Sequence, residues 1–169
     1  MGGFSIKVEG FKELDAKLAA LGGKAATNVV RDGLRAGGEV IQAAIRDLAP
    51  VRPDLPSGTA LPPGALARDI ELHIGEEDGK PAAIIYPGTE TAYAANWVEY
   101  GHRMVKGGYS KVTKSGRVRG PGRLVMTVWF EKNVPAHPFI RPGFEMSTNA
   151  AVERAREVIL EGIEEAAEK

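Results

Sequence analysis

Residues 25–48 constrain the fold most, because their spacing predicts one helix of about 24 residues, roughly 36 Å long. Residues on one face recur there at steps of three and four, and Pro50 ends the pattern. They are Val30, Leu34, Gly37, Ile41, Ile45 and Leu48. Each glycine in such a helix costs up to about 1 kcal/mol relative to alanine. Gly33, Gly37 and Gly38 therefore predict that another backbone approaches closely on this face, with a simple bend as the alternative.

The segments on either side of this helix have their own patterns. Residues 4–8 alternate apolar and polar side chains, which predicts a short half-buried strand. Phe11, Leu14, Leu18 and Leu21 share one face of a first helix, which Gly22-Gly23 ends. Residues 50–63 contain five prolines and predict an extended loop without regular structure.

The second half of the chain combines strands and helices. Residues 67–75 and 81–86 predict a hairpin around residues 76–79. Residues 91–100 favour a helical turn over a strand, because their aromatic residues are spaced by four and three. The sequence predicts another strand at residues 124–130, rich in Val, Met, Trp and Phe. After Pro142, which suits a first helical position, a last helix has one apolar stripe and a Glu-rich outer face.

These elements predict a single α+β domain spanning residues 1–169. A small, mostly antiparallel sheet would pack against two long helices, with a basic loop or hairpin inserted at about residues 102–131. No apolar run approaches the roughly 20 residues needed to cross a bilayer, so we expect no membrane partner. The chain has no cysteine, which excludes disulfides, zinc–thiolate sites and cysteine nucleophiles.

The charge of the chain is strongly segregated, although Lys plus Arg and Asp plus Glu both total 22. Residues 102–130 contain no Asp or Glu, and the rest of the chain has the matching acidic excess. The basic residues of this insert are Arg103, Lys106, Lys111, Lys114, Arg117, Arg119 and Arg123. Such segregation predicts contact with nucleic acid or with an acidic surface of a neighbouring subunit. A solvated, mobile loop is the alternative.

The sequence predicts no catalytic, cofactor-binding or metal site. Glu99, His102 and His137 are the nearest approach to a metal-ligand set, but a site needs three or four ligands and supporting partners. His102 is expected to be solvated at the start of the basic insert, and His137 to lie in a packed turn. No serine stands in a nucleophile-elbow motif, so we expect no enzyme.

Five segments of the chain, taken in sequence order, resemble the gene-product-ten type of tail-component protein from long-tailed bacteriophages. Two blocks are the most specific: VEYG at residues 98–101 and PAHPFIRP at residues 135–142. The other segments are VRDGLRAGGEVIQAA at 30–44, APVR at 49–52 and GALARDI at 64–70. The chain departs from the family in its longer proline-rich stretch and in the roughly thirty residues between the two blocks, where members often have a short basic link.

The resemblance implies a small, non-enzymatic α+β protein of the virion, made in the host bacterial cytoplasm. It would form a ring, of six subunits, that completes or terminates the tail or joins head to tail at the neck. Its partners would be further copies, neighbouring neck and tail proteins and the DNA in the channel. The alternative is a stand-alone nucleic-acid-binding protein that uses residues 103–123.

Two sets of residues are candidates for these contacts. The basic residues of the insert would face either an acidic neighbour or DNA. The aromatic set offers rigid apolar area with polar tips, suited to a core that continues into an interface. Its members are Tyr93, Trp97, Tyr100, Phe139 and, beside them, Arg141. For Trp97 and Phe139, packing of the sheet on the helices is an equal alternative.

Overall fold

A computed structural model of the chain describes residues 12–51, 61–112 and 123–167. Its helices are α1 (Lys12–Leu21), α2 (Gly23–Leu48), α3 (Ala65–Arg68), α4 (Ala92–Tyr100) and α5 (Ile140–Ala167). Its strands are β1 (Ile70–Glu77), β2 (Lys80–Pro87), β3 (His102–Val112) and β4 (Arg123–Val134). The strand predicted at residues 4–8 and most of the loop predicted at residues 50–63 lie outside the described residues. The predicted α+β class, with antiparallel strands and long helices, is confirmed.

The two amino-terminal helices confirm the prediction from periodicity. The break between them falls at Gly22 and Gly23, whose φ angles of 75° and 45° lie in the region that favours glycine. Leu14 of α1 packs with Ile159 and Ile163 of α5 in a small apolar cluster. This cluster fixes α1 against the carboxyl-terminal half of α5.

Helices α2 and α5 form the main packing contact, and the glycines of α2 make it possible. A Cβ added at Gly37 would lie 2.7 Å from the carbonyl oxygen of Ala151, and one at Gly33 would collide with Ile159. On the other side, a Cβ at Gly38 would lie 2.7 Å from Leu72 of β1. The predicted close approach on the glycine face is thus confirmed. The partner that approaches Gly33 and Gly37 is α5 of the same chain.

The β1–β2 hairpin is shifted from its predicted position. The strands pair antiparallel from Ile70 with Pro87 to Glu77 with Lys80, so the turn tightens to Asp78 and Gly79. Both turn residues have positive φ, as a two-residue hairpin turn of type I′ requires. The prediction that the first strand starts at residue 67 was wrong. The amide of Asp69 donates to the carbonyl of Ala65, so residues 65–68 form the short helix α3 instead.

The β3–β4 pair, termed the ribbon below, is longer than the sequence predicted. It pairs from His102 with Val134 to Val112 with Arg123, with an irregularity between Lys106 and Gly107. The sequence predicted a strand only at residues 124–130 and a basic loop or hairpin at about residues 102–131. Part of that insert, residues 113–122, lies outside the described residues. The described strands form two separate antiparallel pairs.

The central core lies where α2, β1, α4 and the start of α5 meet. Its buried members are Ile45, Ala49, Ile70, Ala95 and Phe139. The side chains of Gln42 and Arg46 in α2 both donate to the carbonyl of Ile70 at 2.7 Å, which fixes the start of β1 on the long helix. Within residues 12–51, 61–112 and 123–167, no helix is both long and apolar enough to cross a membrane.

Candidate assembly surface

The carboxylate of Glu99, at the end of α4, holds the beginning of α5. One of its oxygens accepts the backbone N–H groups of Phe139 and Ile140, at 2.8 and 3.0 Å, and the other accepts that of Arg141 at 3.1 Å. The next residue, Pro142, has no N–H, and the N–H of Gly143 donates to the carbonyl of Phe139. The first turn of α5 is therefore fully paired, and the negative charge lies at the positive end of the helix dipole.

This cap corrects two predictions. Helix α5 begins at Ile140, so Pro142 is its third residue rather than its first. Glu99 had been considered only as a metal ligand, and its structural role was missed. The sequence feature that could have revealed this role is the position of Glu99, four residues after Ala95 and on the face of α4 opposite the three aromatic residues. Glu99 is 6% exposed, and a carboxylate on a buried face needs donors to pair with.

The histidines considered with Glu99 lie in different settings. The ring of His102 stacks on Trp97, with centroids 5.1 Å apart, so His102 is half-buried and the expectation that it is solvated was wrong. His137 has an exposed side chain, and its backbone N–H donates to the carbonyl of Val98 at 2.8 Å. Across the described ranges, no group of three or more potential ligands is arranged to hold a metal ion. That the protein needs no metal stays a prediction.

Helix α4 is anchored at its amino-terminal end as well. The side chain of Asp69 accepts the backbone N–H of Thr91 at 2.9 Å, and its carbonyl accepts that of Gly88 at 2.6 Å. Thr91 is 1% exposed, and Ala95 is completely buried. With Asp69 at one end and Glu99 at the other, α4 is a fixed support for the residues on its outer face.

That outer face is aromatic. Tyr93 and Trp97 are each 48% exposed, and Tyr100 is 68% exposed. The rings of Tyr93 and Trp97 meet edge to face, with centroids 5.4 Å apart and an interplanar angle of 80°. Phe139 differs, because at 1% exposure it belongs to the core, as the packing alternative predicted. We refer to Tyr93, Trp97 and Tyr100 as the aromatic face.

An open cleft of about 740 Å³ adjoins the aromatic face. Its floor is α2, one wall is β2 with α4, and the other wall is α5. Residues from all four elements line it, including Ile41, Ile84, Tyr100, Arg141, Phe144 and Val152. The volume falls within the roughly 300–1,000 Å³ of small-molecule pockets, and the lining is largely apolar, as it is in such pockets. Tyr100 belongs to both features, so the aromatic face and the cleft form one continuous surface.

The basic and acidic residues of the predicted contacts lie on different elements, the ribbon and α5. Arg103 forms an ion pair with Glu131 across the ribbon, so one predicted contact residue is paired within its own hairpin. Lys106 and Lys111 belong to β3 and Arg123 begins β4, whereas the other predicted basic residues lie outside the described residues. They are Lys114, Arg117 and Arg119. Helix α5 has exposed Glu residues at positions 145, 153, 157, 161, 164 and 165.

Comparison with known proteins identifies a family. A family model described as "Bacteriophage HK97-gp10, putative tail-component" matches residues 12–101, more than half of the chain. The match ends at Gly101, where the ribbon begins, and includes the VEYG block but not the PAHPFIRP block. No curated protein and no solved structure matches the chain.

Proposed function

Since the chain belongs to the HK97 gp10-like family of bacteriophage tail components, we propose that it is a structural protein that forms a ring at the head–tail neck. In that position it would complete or terminate the tail, or join it to the head, without catalysis. Membership of the family supports a role in the phage tail. The ring and its location at the neck are our proposal.

The aromatic face is the observation that carries the proposal. Three large aromatic side chains, each about half exposed or more, stand together on a helix that is anchored at both ends. Tyr and Trp are enriched at protein interfaces, because they bury a large rigid area and keep a polar tip. A fixed support lowers the entropy that such side chains lose on binding. Both properties favour a subunit contact over a solvent-facing surface.

The charge distribution supports a head-to-tail arrangement. In a ring, each contact joins two different faces of the subunit, and the contacts close after a full turn. The basic insert and the Glu-rich side of α5 would be two such faces of opposite charge. Opposite charges across a contact fix its register and speed association. Six is the number of subunits that we propose.

Native mass spectrometry of the purified protein tests the ring, alone and mixed with neighbouring neck and tail proteins. We expect one ring species, and we expect a double variant, Trp97→Ala with Tyr100→Ser, to lose it. The matched control is Met146→Ser, because Met146 is an apolar residue of α5, 76% exposed, that does not line the cleft. The proposal fails if every mixture contains only monomer, or if the double variant and the control assemble equally well.

A further inference from the structure

Among the described residues, the ribbon has little to pack against. Strands β3 and β4 pair along their length but make at most marginal contacts with any other described helix or strand. A two-stranded hairpin alone is only marginally stable in water. The sequence of β4 is nevertheless strongly apolar, with large residues at both odd and even positions: Leu124, Val125, Met126, Val128, Trp129 and Phe130. Such a sequence is typical of strands that are covered on both faces.

The cleft, in turn, has an edge of β2 that no described strand covers. Strand β2 pairs with β1 along one edge, and within the described residues no strand occupies its other edge. Ala83, Ile84 and Ile85 of β2 line the cleft opposite α5. An uncovered strand edge beside an apolar floor is suited to receive an added strand, through backbone hydrogen bonds and side-chain burial. Ile84 is 39% exposed here.

Charge and length also match. The β3 strand has Arg103, Lys106 and Lys111 and no acidic residue, whereas the charged residues that line the cleft are two acidic ones, Glu77 and Glu99, and one basic one, Arg141. Eleven residues of extended strand span roughly 37 Å, enough to follow a wall of the cleft along several helical turns. The ribbon therefore suits the cleft in three respects: both are apolar, their net charges have opposite signs, and the ribbon is long enough.

We infer that the ribbon of one copy inserts into the cleft of the next copy, along the free edge of β2. This inference rests on the proposed ring and specifies its contact. Because ribbon and cleft are different faces of one subunit, the contact is head-to-tail and can repeat around a ring. The aromatic face adjoins the cleft through Tyr100, so the same neighbour would cover both.

Site-directed cross-linking tests the contact, and the chain suits it because it contains no native cysteine. Chains with Ile84→Cys are mixed with chains in which Val125, Met126 or Val128 is replaced by cysteine, one position at a time. Oxidation of the ring fraction should link the two kinds of chain for at least one pair. In the control, Lys17→Cys on the exposed side of α1 replaces Ile84→Cys, and no link between the two kinds of chain should form.

A substitution in the cleft gives a second readout. Ile84→Arg places a positive charge where the basic ribbon would lie, at a half-exposed site that tolerates a polar residue. We expect subunit association to weaken about tenfold or more, with an unchanged melting temperature of the monomer. Met146→Arg should leave association unchanged.

The outcomes separate this inference from the proposed function. A ring that forms without any link between ribbon and cleft, and that tolerates Ile84→Arg, would overturn the inference and leave the ring intact. A protein that never assembles would overturn both. A cysteine at Ile6 that links to one at Ile84 within a single chain would assign the cleft to the chain's own amino-terminal segment, which also rules out the inference.

Discussion

Replacing Glu99 by glutamine should destabilise the subunit by about 2–4 kcal/mol. The amide can keep one oxygen near Phe139 and Ile140, but its NH₂ group then faces the N–H of Arg141 and leaves a donor without an acceptor. An unsatisfied buried donor costs about 1–3 kcal/mol. Loss of the negative charge at the amino terminus of α5 adds about 0.3–2 kcal/mol.

Thermal unfolding followed by circular dichroism measures this loss. In a domain of this size, 1 kcal/mol corresponds to about 2–4 °C, so the melting temperature should fall by roughly 5–15 °C. Urea titration should give a lower midpoint with an unchanged slope, because the surface exposed on unfolding stays the same. The shorter carboxylate of Glu99→Asp keeps the charge but not the reach, so we expect an intermediate loss.

The matched control is Glu90→Gln, which makes the same chemical change at an exposed site just before α4. It should change stability by no more than about 0.5 kcal/mol. If Glu99→Gln is as stable as this control, the carboxylate does not hold the junction of α4 and α5, and the fixed support of the aromatic face loses its basis.

Three further predictions concern packing, charge and metal content. Gly37→Ala should lower the free energy of unfolding, measured with denaturant, by about 1–3 kcal/mol. Alanine has the higher helix propensity, but its Cβ would meet the backbone of Ala151. Gly162→Ala should cost less, because the added Cβ meets only the side chain of Val29. Reversing Lys111, Lys114, Arg117 and Arg119 to Glu should stop ring closure. If these residues contact DNA instead, native mass spectrometry will still detect rings, while DNA retention, whose salt slope grows by about 0.9 per phosphate contact, will disappear. Elemental analysis of untagged protein should find no stoichiometric metal; one zinc or iron per chain, lost in His102→Ala or His137→Ala, would contradict this.

Local periodicity predicted most of the helical framework. The apolar steps of α2, the glycine pair at Gly22-Gly23 and the aromatic spacing of α4 each follow from rules that act within a few turns of one helix. The glycine face of α2 likewise predicted a close approach, because the cost of three glycines requires a partner. Sequence alone did not identify that partner as α5, since the contact joins residues more than a hundred positions apart.

Long-range polar contacts account for most of what the sequence left open. Glu99 caps a helix that starts forty-one residues later, and no local pattern connects the two. His102 was expected in solvent, but the exit at Gly101 turns the chain so that its ring stacks on Trp97. The sequence predicted the start of a strand where α3 lies, because a helix of four residues is too short to show a helical period in its side chains.

The most direct test of the account is a cryo-electron microscopy reconstruction of the neck of the intact virion, at a resolution that traces this chain. We predict a closed ring of this protein between head and tail, with the aromatic face of each subunit buried against the next copy. A neck from which the chain is missing would contradict this prediction. A ring in which Tyr93, Trp97 and Tyr100 all face solvent would contradict it as well.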